Sequence, residues 1–169
     1  MTIFVGRLSL DLAAADLHTT RDLEAWLADS TLEVVGLACT ARELAAARRV
    51  ATAIESGARA AARSRRPPDN AVRLLNRAAA LPPLTPRLDP RTRDFSWHQP
   101  TVGAALSEVA RDALAMLGDP DQRRRVRTCA NPNCVRLFYD DSRPGQRRWC
   151  SPARCGDQAR ARAYRARKK

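Results

Sequence analysis

Aromatic residues make up only 5% of the 169 positions, histidine occurs twice and glycine seven times. No apolar stretch nears the ~18 residues that a membrane-spanning helix needs. Each scarcity excludes something. With few aromatic residues, abundant alanine and leucines at helical spacing, helix packed on helix is favoured over stacked sheets, so a mainly α fold is expected. His18 and His98 stand alone without a metal-spaced partner, and the glycines are scattered. Neither a Ser/His/Asp arrangement, a paired-carboxylate site nor a phosphate loop can be assembled from them, so no enzyme is expected. The opening MTIFVGRLSLDLAAAD has an acid at Asp11 and lacks a basic stretch followed by a long apolar run, unlike a secretory leader. A soluble cytoplasmic protein without a membrane partner is the expectation, and in that reducing setting cysteines are thiols or metal ligands rather than disulfides.

Acidic residues are scarce in one region only. Overall, 30 Arg and Lys stand against 18 Asp and Glu, for a formal charge of +12. Residues 121–169 hold 15 of the basic residues against Asp121, Asp140, Asp141 and Asp157, hence +11, which leaves the first 120 residues at +1. A nearly neutral body is therefore joined to a tail that attracts polyanions. The length suits one ordinary domain with a small appendage, divided at 1–120 and 121–169.

Within the body, residues 3–12 alternate loosely and suggest a short strand. Leu23, Trp26 and Leu27 share a helical face behind a threonine cap, which predicts a helix over about 20–29. Thr40 and Glu43 form a capping box that starts a longer helix, with Leu44, Ala47, Ala51, Ile54 and Ala58 as its apolar stripe, running to about Ser64 before Pro67 and Pro68 stop it. Asp69 is placed to cap a third helix that ends at Leu81-Pro82-Pro83. Turn formers around Asp89 and Pro90, with Phe95 and Trp97 beyond, predict a β-hairpin between 84 and 100. Val102, Leu106, Val109, Ala113 and Leu117 mark another amphipathic helix closed by Gly118, and Asp119-Pro120 begins a further helical turn.

The cysteines carry the strongest signal. Cys129-x4-Cys134-x15-Cys150-x4-Cys155 is two close pairs separated by a loop of the length common between halves of a zinc site. Four thiolates suit Zn²⁺, which accepts a closed tetrahedral shell at ~2.3 Å. Asn131, Pro132 and Asn133 favour the tight turn of a metal knuckle. Residues 135–139 read as a strand, 140–145 as a turn and Arg147-Arg148-Trp149 as the returning strand. Ser151 and Pro152 cap and start a helix that carries Cys155. A knuckle, a hairpin and a helix are the parts of a treble-clef finger. Unligated buried cysteines and an iron–sulfur cluster are the alternatives; catalytic zinc fits less well, because four thiolates leave no open position for water. Cys39 stands apart and reads as a small buried side chain.

After Cys155 the chain continues GDQARARAYRARKK. Arginine grips phosphate or guanine with two hydrogen bonds, and a helix presenting Arg154, Gln158, Arg162 and Arg165 on one face suits a nucleic-acid groove. Arg143, Arg147, Arg148, Arg160, Arg167, Lys168 and Lys169 extend the candidate contact set. A few such cations would be explained by the helix dipole and a tetrathiolate site that is formally about −2. An excess of 11 positive charges in residues 121–169 goes beyond those needs.

CANPNC, then LFYDDSRPGQRRWCSPARCG, then arginines around Tyr164 closely resemble the CGNR zinc finger family. The preceding GRLSLDL, with Leu23 and Trp26 of a short helix, resembles the ABATE domain that accompanies that finger. The resemblance implies a stress-induced transcriptional regulator whose finger touches DNA and whose N-terminal domain senses a ligand, with Cys129, Cys134, Cys150 and Cys155 as zinc ligands. One position departs from the pattern. Where the family has Cys-Gly-Asn-Arg, this chain has Cys155-Gly156-Asp157-Gln158, exchanging an amide and a cation for an acid and an amide. Asp157 repels phosphate, while Gln158 retains an amide able to read adenine. Duplex DNA is thus the expected partner, with RNA or another protein as the alternative. The helical domain is left to hold an apolar ligand or a second copy of the chain.

Overall fold

A computed structural model describes residues 6–168. Its first helix, α1 (Leu8–Ala13), falls where alternation suggests a strand; residues 3–5 of that segment lie outside the described residues. The correction has a tertiary cause. The carboxylate of Asp112, far along the chain, accepts from the Ser9 backbone N–H at 2.9 Å and from the Arg7 guanidinium at 2.8 Å. It satisfies a free amide of the first turn, which no nearby side chain does.

Helix α2 (Thr20–Asp29) begins at a capping box: Asp22 N–H donates to the Thr19 hydroxyl, and the Asp22 carboxylate accepts from Thr19 N–H at 2.6 Å. Helix α3 (Ala41–Ala61) begins the same way, with Glu43 N–H donating to Thr40 Oγ1 at 3.2 Å and Thr40 N–H to Glu43 Oε2 at 2.8 Å. It ends three residues before the expected Ser64. There Arg65 N–H donates to the Ala60 carbonyl and Ser64 N–H to the Ala61 carbonyl, while Ser64 adopts a left-handed φ of 54°. This is a Schellman closure in which serine occupies the position glycine usually takes.

Helix α4 (Asp69–Ala79) follows the two prolines, but Pro68 occupies the cap position and Asp69 is the first helical residue, making no side-chain cap. The Asp69 carboxylate still complements the positive end of the helix. Strands β1 (Thr85–Leu88) and β2 (Phe95–His98) form the expected hairpin, with Leu88 opposite Phe95. Its turn is held by Asp89, whose Oδ1 accepts from the Arg91 and Thr92 amides, and Trp97 Nε1 ties it to the Leu32 carbonyl at 2.6 Å. In α5 (Val102–Gly118), Gly118 is the last helical residue rather than a left-handed stop. Asp119 ends α5 and caps α6 (Pro120–Arg124) by accepting from the Asp121 and Gln122 amides at 2.7 and 3.1 Å.

The body packs α3, α4 and α5 against one another, with α1 lying across α3 and α5. Ala47, Ile54 and Ala58 of α3 and Ala105, Val109, Ala113 and Met116 of α5 are inaccessible to solvent. Small side chains let the axes come close: a Cβ placed on Gly57 would lie 2.8 Å from Leu117 Cδ1. Alanine-rich helices here supply a close-packed interior.

The C-terminal third begins with β3 (Val126–Thr128), antiparallel to β4 (Leu137–Tyr139), with Val126 opposite Tyr139 and Thr128 opposite Leu137. The first cysteine pair is the tip of this hairpin. The expected pairing of 135–139 with Arg147-Arg148-Trp149 is therefore corrected: β4 pairs backward with β3, and residues 147–149 run without strand structure. The returning segment is held instead by the Arg147 N–H donating to Asp140 Oδ2 and the Ala130 N–H donating to the Arg148 carbonyl, both 2.9 Å. After Ser151, whose hydroxyl accepts from Arg154 N–H, the chain makes a wide π-helical turn (Pro152–Gly156) and continues as α7 (Asp157–Arg167).

Candidate metal centre and nucleic-acid surface

Two local structures deliver the four sulfurs. In the knuckle, Cys129 N–H donates to the Arg136 carbonyl and Cys134 N–H to the Asn131 carbonyl at 2.9 and 2.8 Å, and Asn133 N–H donates to the Asn131 side chain. Opposite, the π-helical turn carries Cys155 into the interior. Gly156 lets the turn pack closely there, since a Cβ would lie 3.2 Å from the Trp149 ring, a tight contact. Arg147 braces Cys150 by donating from Nη2 to its carbonyl at 2.6 Å.

The result is one cluster: Cys129, Cys134, Cys150 and Cys155 place their sulfurs within 4.8 Å of one another. Cys150 Sγ lies 3.7 Å from both Cys134 Sγ and Cys155 Sγ. A disulfide would need about 2.05 Å. A tetrahedral shell at ~2.3 Å per metal–sulfur bond separates its sulfurs by about 3.8 Å, which the spacing fits. Cys129, Cys150 and Cys155 are buried and Cys134 is half-buried. Burial pushes the Cys150 thiol far above its ordinary value, and the neighbouring cysteines push it further. Burial also raises Cys134, whereas at Cys129 it is outweighed by backbone hydrogen bonds from Cys150 and Asn131 that favour the thiolate. Four thiols so crowded ionise together only around a cation, which displaces their protons as it binds.

Polar residues hold the finger around this cluster. Asp140 has no exposed surface and accepts from Ser142 Oγ at 2.6 Å, Ser142 N–H at 3.1 Å and Arg147 N–H at 2.9 Å, with the Arg127 guanidinium 3.2 Å away. Asn131, 2% exposed, donates to Gln158 Oε1 at 3.0 Å and accepts from the Arg162 guanidinium. This amide pins α7, which buries no residue of its own, to the knuckle. Sequence reasoning missed both roles, treating Asn131 and Asp140 as turn formers. The Asp-x-Ser pattern at 140–142 was the available sign, as a side chain that bonds the backbone two residues on.

The candidate contact residues divide accordingly. Arg143, Arg148, Arg154, Arg160, Arg165, Arg167 and Lys168 are exposed. Arg148 lies over the Trp149 ring, Lys168 over Tyr164, and Arg160 pairs with Asp157 one turn before it. Gln158 and Arg162 face the knuckle through Asn131, so the face proposed for 154, 158, 162 and 165 is shared between docking and solvent. Arg147 is engaged by the Trp149 and Cys150 carbonyls, by Asp141 and by the Phe138 ring. Lys169 lies outside the described residues. Away from the site, His18 and His98 are exposed, and Cys39 is half-buried rather than buried, with its thiol raised by burial and by Glu24 and Glu43.

The finger is seated on the body. Phe138 is fully buried, β4 meets α1 and α3, and the Arg7 guanidinium lies 5.2 Å from the Tyr139 ring centroid while bonded to Asp112 and Gln122. Among the described residues no helix is long and apolar enough to cross a membrane.

A helical body followed by a small cysteine-held finger defines the class: a zinc-finger protein with an N-terminal helical region. Residues 6–120 match the ABATE family, described as "Putative stress-induced transcription regulator", and residues 125–168 match the CGNR zinc finger. The chain belongs to the ABATE family and carries a CGNR zinc finger at its C-terminal side. No curated protein matches it.

Proposed function

We propose that this protein is a DNA-binding transcriptional regulator, not an enzyme, whose zinc-stabilised treble-clef finger carries the arginines that contact duplex DNA. The observation that carries the proposal is the placement of charge. The +11 of residues 121–169 includes exposed arginines at 124, 143, 148, 154, 160, 165 and 167 around the four-cysteine cluster, on a body of +1. Cys129, Cys134, Cys150 and Cys155 would hold Zn²⁺ as a closed shell. The ion supplies structure, since a unit this small buries too little apolar surface to fold firmly alone.

A sensing role for the body finds support in a cleft of about 450 Å³ between α1, α3 and the knuckle, lined by Leu10, Ala13, Glu55, Arg59, Val135 and Leu137. A ligand there would touch body and finger together, and so bias how the finger is held. The cytoplasm is the compartment in which both roles make sense.

Metal analysis of the purified chain followed by duplex binding across salt concentrations tests the proposal. One zinc per chain is expected, with binding that weakens by about 10³–10⁵ between 50 and 200 mM salt if six to ten phosphates are contacted. Flat salt dependence, or preference for structured RNA over duplex, would overturn it.

A further inference from the structure

The body's small net charge conceals a concentrated basic surface. A cleft of about 750 Å³ lies between the end of α3, α6 and β3, and five arginines line it: Arg65, Arg66, Arg123, Arg124 and Arg127. Among the described residues lining it there is no acid and no aromatic ring. Two of the five come from the helical body, although neither its net charge nor its periodicity marks them out.

Local duties account for three of these five cations. Arg127 is paired with the buried Asp140, Arg124 with Asp121, and Arg123 donates to the Leu117 carbonyl at 3.0 Å. Arg65 and Arg66 differ. A basic pair beyond a helix often neutralises its last carbonyls. At α3, however, the backbone amides of Arg65 and Ser64 already occupy the carbonyls of Ala60 and Ala61. Both guanidiniums are exposed and make no hydrogen bond or ion pair with any described residue. The backbone that carries them is nonetheless set firmly. The left-handed Ser64 turns the chain out of α3, and Pro67 restricts Arg66 to extended backbone.

The cleft is continuous with the finger. Arg127 donates to the Gly145 carbonyl, and Arg125 donates to the carbonyls of Asp140 and Ser142 at 2.9 and 3.1 Å, so the cleft borders the 140–147 loop that carries the exposed Arg143. Guanidiniums without a stacking ring suit phosphates rather than bases, and so a duplex backbone rather than splayed single strands. We infer that the cleft is a second phosphate-binding surface, in which Arg65 and Arg66 of the body grip the backbone of the same duplex that the finger holds. It rests on the DNA-binding function proposed above.

The test compares the full zinc-loaded chain with Arg65→Gln/Arg66→Gln, and with Arg73→Gln/Arg77→Gln on α4, which removes the same charge from exposed positions away from the cleft. Duplex affinity is measured across salt concentrations, with circular dichroism and zinc content verifying the fold. Loss of two phosphate contacts is expected to make the negative slope of log K against log salt shallower by about 1.8 in the first variant only. Hydroxyl-radical footprints should also shorten at one end in that variant. An unchanged slope in Arg65→Gln/Arg66→Gln, or an equal fall in both variants, would overturn the second surface while leaving the finger's role standing. Failure of the unaltered protein to bind duplex would overturn both.

Discussion

The helical body and the finger solve the same problem, holding a defined shape, by opposite means. The body buries leucine, alanine, valine, isoleucine, methionine and Trp26 across its packed helices α1 to α5. The finger's buried aliphatic and aromatic side chains are Val126, Leu137 and Phe138, with Tyr139 and Trp149 half-buried beside them, while its interior also contains the cysteine cluster, the Asn131 amide and the Asp140 carboxylate. A long helix with one apolar face needs only a partner surface, and removing one side chain weakens it by degrees. A short chain without such a face must satisfy every buried polar group individually, and removing its centre leaves little behind. The two regions should therefore fail differently.

The largest difference should follow metal removal. Chelation, or Cys150→Ser, withdraws an interaction on the order of 10–16 kcal/mol in comparable zinc peptides. Limited proteolysis should then cut within residues 125–168 while the body stays protected and retains its helical circular dichroism. Simultaneous loss of both regions would show that the body depends on the finger. The reciprocal change is Ile54→Ala in α3, at a position with no exposure. A loss of about 2–5 kcal/mol is expected in denaturant unfolding, with zinc content unchanged.

A smaller effect is expected at Asp140. Burial alone would raise its carboxyl, but hydrogen bonds from Ser142 and Arg147 and the charge of Arg127 outweigh it and hold the group below the ordinary carboxylate range. Its folded value being depressed, the stabilisation is complete above the unfolded value of about 3.9 and is lost as pH falls through the folded one. Asp140→Asn should cost about 1–3 kcal/mol at neutral pH and progressively less on acidification below about pH 4, read from finger-specific protease protection. A difference that grows with acid would contradict the assignment. Smallest of all, Thr40→Ala should remove about 1 kcal/mol through loss of the α3 cap, seen as a lower unfolding midpoint of the body with the finger untouched.

Legibility followed the same division. The threonine cap before α2, the capping box at Thr40, proline stops and the Asp89 turn are local grammar, and the helices and hairpin they announce are in place. Errors arose where a distant residue decided the matter. Residues 8–12 alternate like a strand, yet Asp112 caps them as a helix. Arg147-Arg148-Trp149 has the composition of a returning strand, yet Asp140 and Ala130 hold it as an extended loop while β4 turns back to β3. Gln158 and Arg162 look alike with the other polar residues of α7 until Asn131 claims them.

By itself the sequence determined that this is a helical body with a four-cysteine, strongly basic finger, because periodicity, caps and chelate spacing act over a few residues and need no knowledge of the rest. Only the tertiary structure decided which cations face solvent, which carboxylate is sealed inside, and that Arg65 and Arg66 share a cleft with Arg123 and Arg127. Charge acts through space, and the distances through which it acts exist only once the chain has closed on itself.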